Sequence, residues 1–295
     1  MCGKRLNILV TGANGQLGRC IRDASEGSAH RYIFSDVNDV PGLETLSLDI
    51  TDQAAARLVT ESESVDIIIN CAGFTNVDKA ETETVFADLL NREAVANLAV
   101  CAKSRDALLI HISTDYIFSG NDCKPITEDA TPAPLGVYGA TKLAGEKAIL
   151  DSGCRHIIIR TAWLYSKYGR NFVKTIIGLS EQRPEITVVS DQIGTPTRAE
   201  DLAAFIVGLI EKGQDMEEGI YNYTGEGVAS WYDFAHEICT VRGSACKVLP
   251  CSSEDYPTAA RRPHYSVLDK SLVKKTFGIE LPHWTETLKT CLETL

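Results

Sequence analysis

Tyr138 and Lys142 stand four residues apart in Tyr-Gly-Ala-Thr-Lys. On a helix this spacing puts a phenol and an ammonium on one face. A cation beside a phenol is expected to lower its pKa from the usual value of about 10. Such a tyrosine can donate a proton to a developing alkoxide and recover it from solvent. Lys142 can also hold the hydroxyls of a nicotinamide ribose. The pair alone is weak, because Tyr and Lys meet at this spacing on many solvated helix faces. Thr114 adds weight. It follows a β-branched run and opens Thr114-Asp115-Tyr116. A hydroxyl at the carboxyl edge of a central strand can bond a substrate carbonyl and tune the tyrosine. The competing reading of Thr114 is an N-cap or a turn residue.

Upstream, Gly12, Gly15 and Gly18 form G-x-x-G-x-x-G directly after the first apolar run. Glycines there permit a tight turn, close approach of backbone to a pyrophosphate and close helix–strand packing. Amides at the following helix start, from Gly15 through Gln16 and Leu17, would face the phosphates. Asp36 ends the second run, 18 residues after Gly18. A carboxylate there accepts from ribose hydroxyls and favours NADH; the alternative is a solvated turn acid. Asp49 and Ile50 could border the adenine, or Asp49 could be a helix N-terminal acid. Gly73, Phe74 and Thr75 follow the fourth run, where small residues let a ligand approach. Cys71 reads as a small buried residue rather than a nucleophile.

These residues need a scaffold. Short apolar runs lie at 6–10, 31–35, 46–48, 65–70, 107–113 and 156–160, separated by helical patterns at 16–24, 52–60 and 81–104. Near-continuous apolar strands alternating with helices predict an α/β fold, a doubly wound Rossmann sheet, parallel and covered on both faces. The second half is less regular. It predicts a smaller α/β substrate-binding lobe, with an N-cap at Ser230 before the Trp231 helix. The expected division is a dinucleotide domain over 1–160 and a lobe over 161–295, with some chain returning to the first domain.

The chain has 295 residues and a formal net charge of −11. An acidic surface repels phosphate backbones and anionic lipid, which argues against nucleic acid and membrane partners. The ten cysteines form no C-x-x-C pair. With no signal-peptide pattern and no membrane-length apolar stretch, the expectation is reduced thiols in a cytoplasmic protein. The six histidines show no ligand spacing, so no metal is expected.

Taken in order, T-G-A-N-G-Q-L-G, A-G-F-T-N-V-D-K-A-E, S-T-D-Y-I-F, Y-G-A-T-K-L-A-G-E and R-T-A-W-L-Y resemble the extended short-chain dehydrogenase/reductase family. D-Q-I-G-T-P-T, S-W-Y-D-F-A and Y-P-T-A-A-R-R-P extend the likeness over nearly the whole chain, toward its dTDP-4-dehydrorhamnose reductase branch. The resemblance implies Tyr138 as proton donor, Lys142 as its partner and Thr114 as the tuning hydroxyl. It implies NADPH or NADH along Gly12, Gly15, Gln16, Leu17, Gly18, Asp36, Asp49, Ile50, Gly73, Phe74 and Thr75. Thr114, Asp115 and Trp163 would face a dTDP-linked 4-keto-6-deoxy sugar, with Arg262 on its diphosphate. From the residues alone, Trp163 reads as a core aromatic, and Arg262 reads nearly as well as a solvated arginine. The implied reaction is NAD(P)H-dependent reduction of the C4 ketone of dTDP-4-dehydro-L-rhamnose, giving dTDP-L-rhamnose for surface polysaccharide. The alternatives are another nucleotide 4-keto-6-deoxy sugar, or a non-catalytic module like the methionine adenosyltransferase regulatory subunit. A monomer or a homodimer is expected. Some members of the family form a magnesium-bridged dimer through an acid on the first helix, where this chain has Arg19 and Cys20.

Overall fold

Isoleucine, leucine and valine occupy successive positions of the inner strands, as a sheet buried on both faces requires. The computed structural model describes residues 4–121, 123–213 and 216–295. The first half runs β1 (Asn7–Thr11), α1 (Gln16–Ala24), β2 (Arg31–Asp36), β3 (Leu46–Ser47), α2 (Gln53–Ser62), β4 (Ile67–Asn70), α3 (Val77–Ala80) and α4 (Thr84–Asp88). A π turn over Leu89–Glu93 leads into α5 (Ala94–Arg105), then β5 (Leu108–Thr114), a 3₁₀ turn Asp115–Ile117, α6 (Val137–Ser152) and β6 (His156–Thr161). The second half runs β7 (Leu164–Tyr165), α7 (Phe172–Gln182), β8 (Glu185–Val189), β9 (Ile193–Gly194), β10 (Thr197–Arg198) and α8 (Ala199–Glu211). It closes with β11 (Gly219–Asn222), β12 (Ala229–Ser230), α9 (Trp231–Val241), β13 (Lys247–Cys251), α10 (Ser271–Phe277) and α11 (Trp284–Leu292).

Seven strands form one parallel sheet in the order β11-β6-β5-β4-β1-β2-β3. The order reverses between β1 and β4, which opens a crevice at their carboxyl ends. Leu17 and Ile21 of α1 pack with Leu202, Phe205 and Ile206 of α8 on one face. Val95, Leu98 and Ile149, from α5 and α6, pack with Leu9, Ile68 and Leu109 on the other. This is the α/β Rossmann fold expected. A separate core gathers Tyr165, Val173, Ile176, Phe234, Ile238, Trp284 and Leu288 from α7, α9, α11 and their short strands. The helix predicted at Ser230 is present, with a full capping box to Asp233.

One feature departs from the sequence pattern, and the expected return of chain to the first domain takes two routes. The stretch 81–104, read as one helix, is broken into α4, the π turn and α5. The chain that returns to the sheet is α8 with β11, and β11 pairs in parallel beside β6. The segment after β13 also returns: Ile193 bridges Tyr265, and Ile126 bridges Leu268. Nine cysteines among the described residues are free thiols, and Cys2 lies outside them. No helix is long and apolar enough, among the described residues, to cross a membrane.

Candidate active site

The glycine turn between β1 and α1 is built for contact with backbone. Gly12 takes φ +66°, and a Cβ there would stand 2.6 Å from the Ala72 nitrogen. A Cβ on Gly18 would strike the Gly12 carbonyl and Ala13, so Gly18 lets α1 lie against the turn. Gly15 is exposed and caps α1 with no side-chain hydrogen bond, leaving first-turn amides without a protein acceptor from that residue. Leu17 itself is buried in the core, so only its amide can serve a ligand. Gln16 ties the turn to the second half of the chain: its Nε2 donates to the Leu164 carbonyl at 3.1 Å, and its Oε1 accepts from Asn171 at 2.9 Å.

Asp36 braces the same turn. Its Oδ2 accepts from the Asn14 amide at 3.0 Å, and its Oδ1 from the Asn38 amide at 2.9 Å. Asp49 is exposed and accepts from the Thr51 amide and hydroxyl at 2.9 and 2.7 Å. The helix acid that caps α2 is Asp52. Ile50 is buried in the sheet's second face. Gly73 and Phe74 run beneath the π turn, and Phe74 exchanges both backbone hydrogen bonds with the Asn91 side chain, at 2.9 and 3.1 Å. Thr75 next to them is exposed. A positive-φ glycine with no room for a side chain, free helix-start amides and a carboxylate at the end of β2 fit a dinucleotide. Among the described residues, no cluster of His, Cys, Asp and Glu side chains is arranged as a metal site.

Tyr138 and Lys142 lie on α6, which glycines hold unusually close to its neighbours. A Cβ on Gly139 would stand 2.1 Å from the Tyr116 carbonyl, and one on Gly145 2.2 Å from the Asn91 carbonyl. Tyr138 meets Tyr116 edge to face at 5.6 Å. Burial pushes the Tyr138 phenol up to about 12; the Thr114 hydroxyl opposes this and the Asp115 charge adds to it. The expected lowering by Lys142 is not found. The Lys142 Nζ turns to the Ile112 carbonyl at 2.6 Å and faces His111 Nε2 at 3.3 Å. Burial pushes Lys142 down to about 8, partly offset by Glu146 and Cys71.

Thr114 is the N-cap that its turn reading expects. It caps the 3₁₀ turn by accepting from the Tyr116 amide at 3.2 Å and donates to Asp115 at 3.0 Å, and its hydroxyl eases the upward push on the Tyr138 phenol. Asp115 is 1% exposed, its Oδ2 has no partner, and burial pushes it up to about 6. Arg262 donates to Asp78 at 2.7 Å, sits beside Tyr116, and leaves its Nε buried without a partner. Trp163 takes φ +47°, stacks on Trp231 with centroids 3.5 Å apart, and lies over Gly194. Its ring thus belongs to an aromatic stack at the edge of the second core.

The chain matches the RmlD substrate binding domain model over residues 6–295. It belongs to that family. A dTDP-4-dehydrorhamnose reductase of Aggregatibacter actinomycetemcomitans is 38% identical over 292 residues, covering 96% of this chain and 97% of that protein. Among solved structures, a dTDP-4-dehydrorhamnose reductase from Clostridium acetobutylicum superposes with a TM-score of 0.91 at 40% identity, over 98% and 99% of the two chains. One from Bacillus anthracis, in complex with NADP, superposes with a TM-score of 0.90 at 35% identity, over 99% and 100%.

Within the family's span, three polar residues that the sequence reading passed over join the site. Asn91, fully buried in the π turn, bonds Phe74 and donates to Thr141 at 3.1 Å, one residue before Lys142. Asn70 ends β4, and His111 sits in mid-β5 at 0% exposure. The available signal was a polar residue inside an otherwise apolar run.

Proposed function

We propose that this chain is an NAD(P)H-dependent reductase that converts the C4 ketone of dTDP-4-dehydro-L-rhamnose to the alcohol of dTDP-L-rhamnose. The reading is supported by Thr114 at the carboxyl end of β5 with Tyr138 and Lys142 on α6, Lys142 Nζ reaching the Ile112 carbonyl of β5 and the Cβ position of Gly73 past β4. The full-length match to named reductases supports the substrate.

Gly15, Gln16 and Leu17 would present amides to the pyrophosphate. Asp36 would take the adenosine ribose, and Gly12 and Gly73 would let the backbone approach. When bound, the reduced dinucleotide would supply the hydride that the carbonyl carbon takes. Tyr138 gives its hydroxyl proton to the carbonyl oxygen, and a phenol pushed up to about 12 is fully protonated for that step at neutral pH. Thr114, whose hydroxyl eases the upward push on the Tyr138 phenol, offers a second contact to the same oxygen. Trp163, Asp115 and Arg262 line the approach for sugar and diphosphate, and residues 161–295 supply most of that side. The phenolate left on Tyr138 recovers its proton from solvent.

Oxidation of NADPH and NADH is to be followed by absorbance, with dTDP-4-dehydro-L-rhamnose supplied by its upstream enzymes. Sugar-dependent oxidation with dTDP-L-rhamnose as product is the expected result. Dinucleotide binding without oxidation would reject the reading.

A further inference from the structure

Four side chains from four elements form a buried chain of hydrogen bonds ending at Lys142. The Thr11 hydroxyl of β1 donates to Asn70 Oδ1 at 2.8 Å. Asn70 Nδ2 lies 3.1 Å from His111 Nδ1, and His111 Nε2 lies 3.3 Å from Lys142 Nζ. The polarity of this chain is fixed at one end. Asn70 Oδ1 also accepts from the Ala72 backbone amide at 3.1 Å, and a backbone N–H can only donate. The amide therefore turns its NH₂ to His111. Nδ1 must present its lone pair, and Nε2 must carry the hydrogen. That N–H points at Nζ, and an ammonium there would set donor against donor.

We propose that His111 is a positioning residue that sets the proton affinity of Lys142: locked by Asn70 as the Nε2–H tautomer, it favours the amine form of Lys142 and disfavours the ammonium. This rests on the reading of Lys142 as part of the reducing site. The Lys142 amine accepts from Nε2–H and donates one N–H to the Ile112 carbonyl, leaving the other toward the crevice below Gly73, whose Cβ position is 3.9 Å from Nζ. The groups acting on Nζ agree. His111 on β5 stays neutral, held well below its usual range chiefly by burial. Cys71, past β4, is pushed up and stays a thiol. Glu146, one turn along α6, is committed to Arg160 and Ser113. Nothing facing Nζ from β5, β4 or α6 gives it a free anion.

The test uses the full chain, and neither spectrum needs a sugar. Imidazole ¹⁵N spectra read the His111 tautomer, and lysine ¹³Cε shifts followed against pH read the Lys142 midpoint. The wild type should show the Nε2–H form. His111→Gln, which can offer Nζ an oxygen, should raise the Lys142 midpoint by about one unit or more. Asn70→Asp keeps the acceptor for Ala72 and Thr11, but takes a hydrogen from Nδ1. It should switch the imidazole to the Nδ1–H form and raise the midpoint as well. Thermal unfolding identifies variants that are folded. An Nδ1–H tautomer in the wild type overturns the proposal, as does an unmoved Lys142 midpoint in folded His111→Gln. Absent turnover with the expected tautomer and shifts would sink the proposed substrate and leave the role of His111 intact.

Discussion

The Arg160 guanidinium lies 2.8 Å from the Glu146 carboxylate in the interior of the molecule, their side chains only 4% and 2% exposed. Ser113 donates to the same carboxylate, and Arg160 Nη1 donates to the Glu128 carbonyl at 2.8 Å. The cluster locks α6 to β5 and β6. Removing one charge strands the other in a low dielectric. Glu146→Gln and Arg160→Met should each cost about 3–5 kcal/mol of unfolding free energy, and Glu146→Leu with Arg160→Met should recover most of it. Urea unfolding measures all three. Single-variant losses below about 1 kcal/mol would mean that water relieves the stranded charge.

Alanine is a better helix former than glycine, so Gly→Ala within a helix normally stabilises by about 0.5–1 kcal/mol. Gly178 in α7 has open space at its Cβ position and should follow that rule. Gly145 in α6 should reverse it, because its Cβ would stand 2.2 Å from the Asn91 carbonyl. Gly145→Ala should lose about 1–3 kcal/mol and lower kcat by displacing Tyr138 and Lys142. Equal stabilisation of the two variants would show that α6 moves freely away from the π turn.

The doubly wound fold was legible because period-free apolar runs and a glycine turn are local signals. Tyr138, Lys142, Thr114 and the glycine turn stand out as candidates by their order along the chain, and their proposed roles come from the family resemblance. The π turn could not. It places Asn91 where both backbone bonds of Phe74 and the Thr141 hydroxyl are satisfied, and those partners are 17 and 50 residues away. The stretch 81–104 carries helical periodicity throughout, and local pattern says nothing of one extra residue in a turn. The role of β11 was equally hidden: Gly-Ile-Tyr-Asn is short, and only pairing with β6 makes it a strand. The pKa order was misjudged for a physical reason. Spacing puts Lys142 near Tyr138, but burial governs the phenol and the amino end of Lys142 turns to the Ile112 carbonyl of β5.

Asp115 offers a pH test that needs no substrate. Burial raises its folded pKa from the ordinary carboxylate value of 3.8 to about 6. The stability it contributes is therefore complete below 3.8 and is lost as pH rises through 6. Asp115→Asn does not titrate. The variant should gain on the wild type between pH 4 and 6 and hold a lead of about 2–3 kcal/mol above that. Tm measured across pH 3.5–8 checks it. A constant difference across that range would place the Asp115 titration elsewhere.

Asp36 braces the glycine turn at the end of β2 and is the residue proposed to take the adenosine ribose. Asp36→Ala should raise KM for NADH by about tenfold or more while affecting NADPH less, since the carboxylate repels a 2′-phosphate and bonds a 2′-hydroxyl. Paired KM values measure this. Equal losses would assign Asp36 to bracing Asn14 and Asn38 alone.

Because β11 and α8 rejoin the sheet after the second core has begun, no cut near residue 160 yields a self-sufficient half. A fragment ending there would leave the β6 edge, with its row of isoleucines at 157–159, without its hydrogen-bonding neighbour, and would strip α8 from α1. Bare strand edges recruit strands from other molecules. Split-protein or domain-exchange engineering of this chain should therefore carry residues 199–222 with the amino-terminal piece.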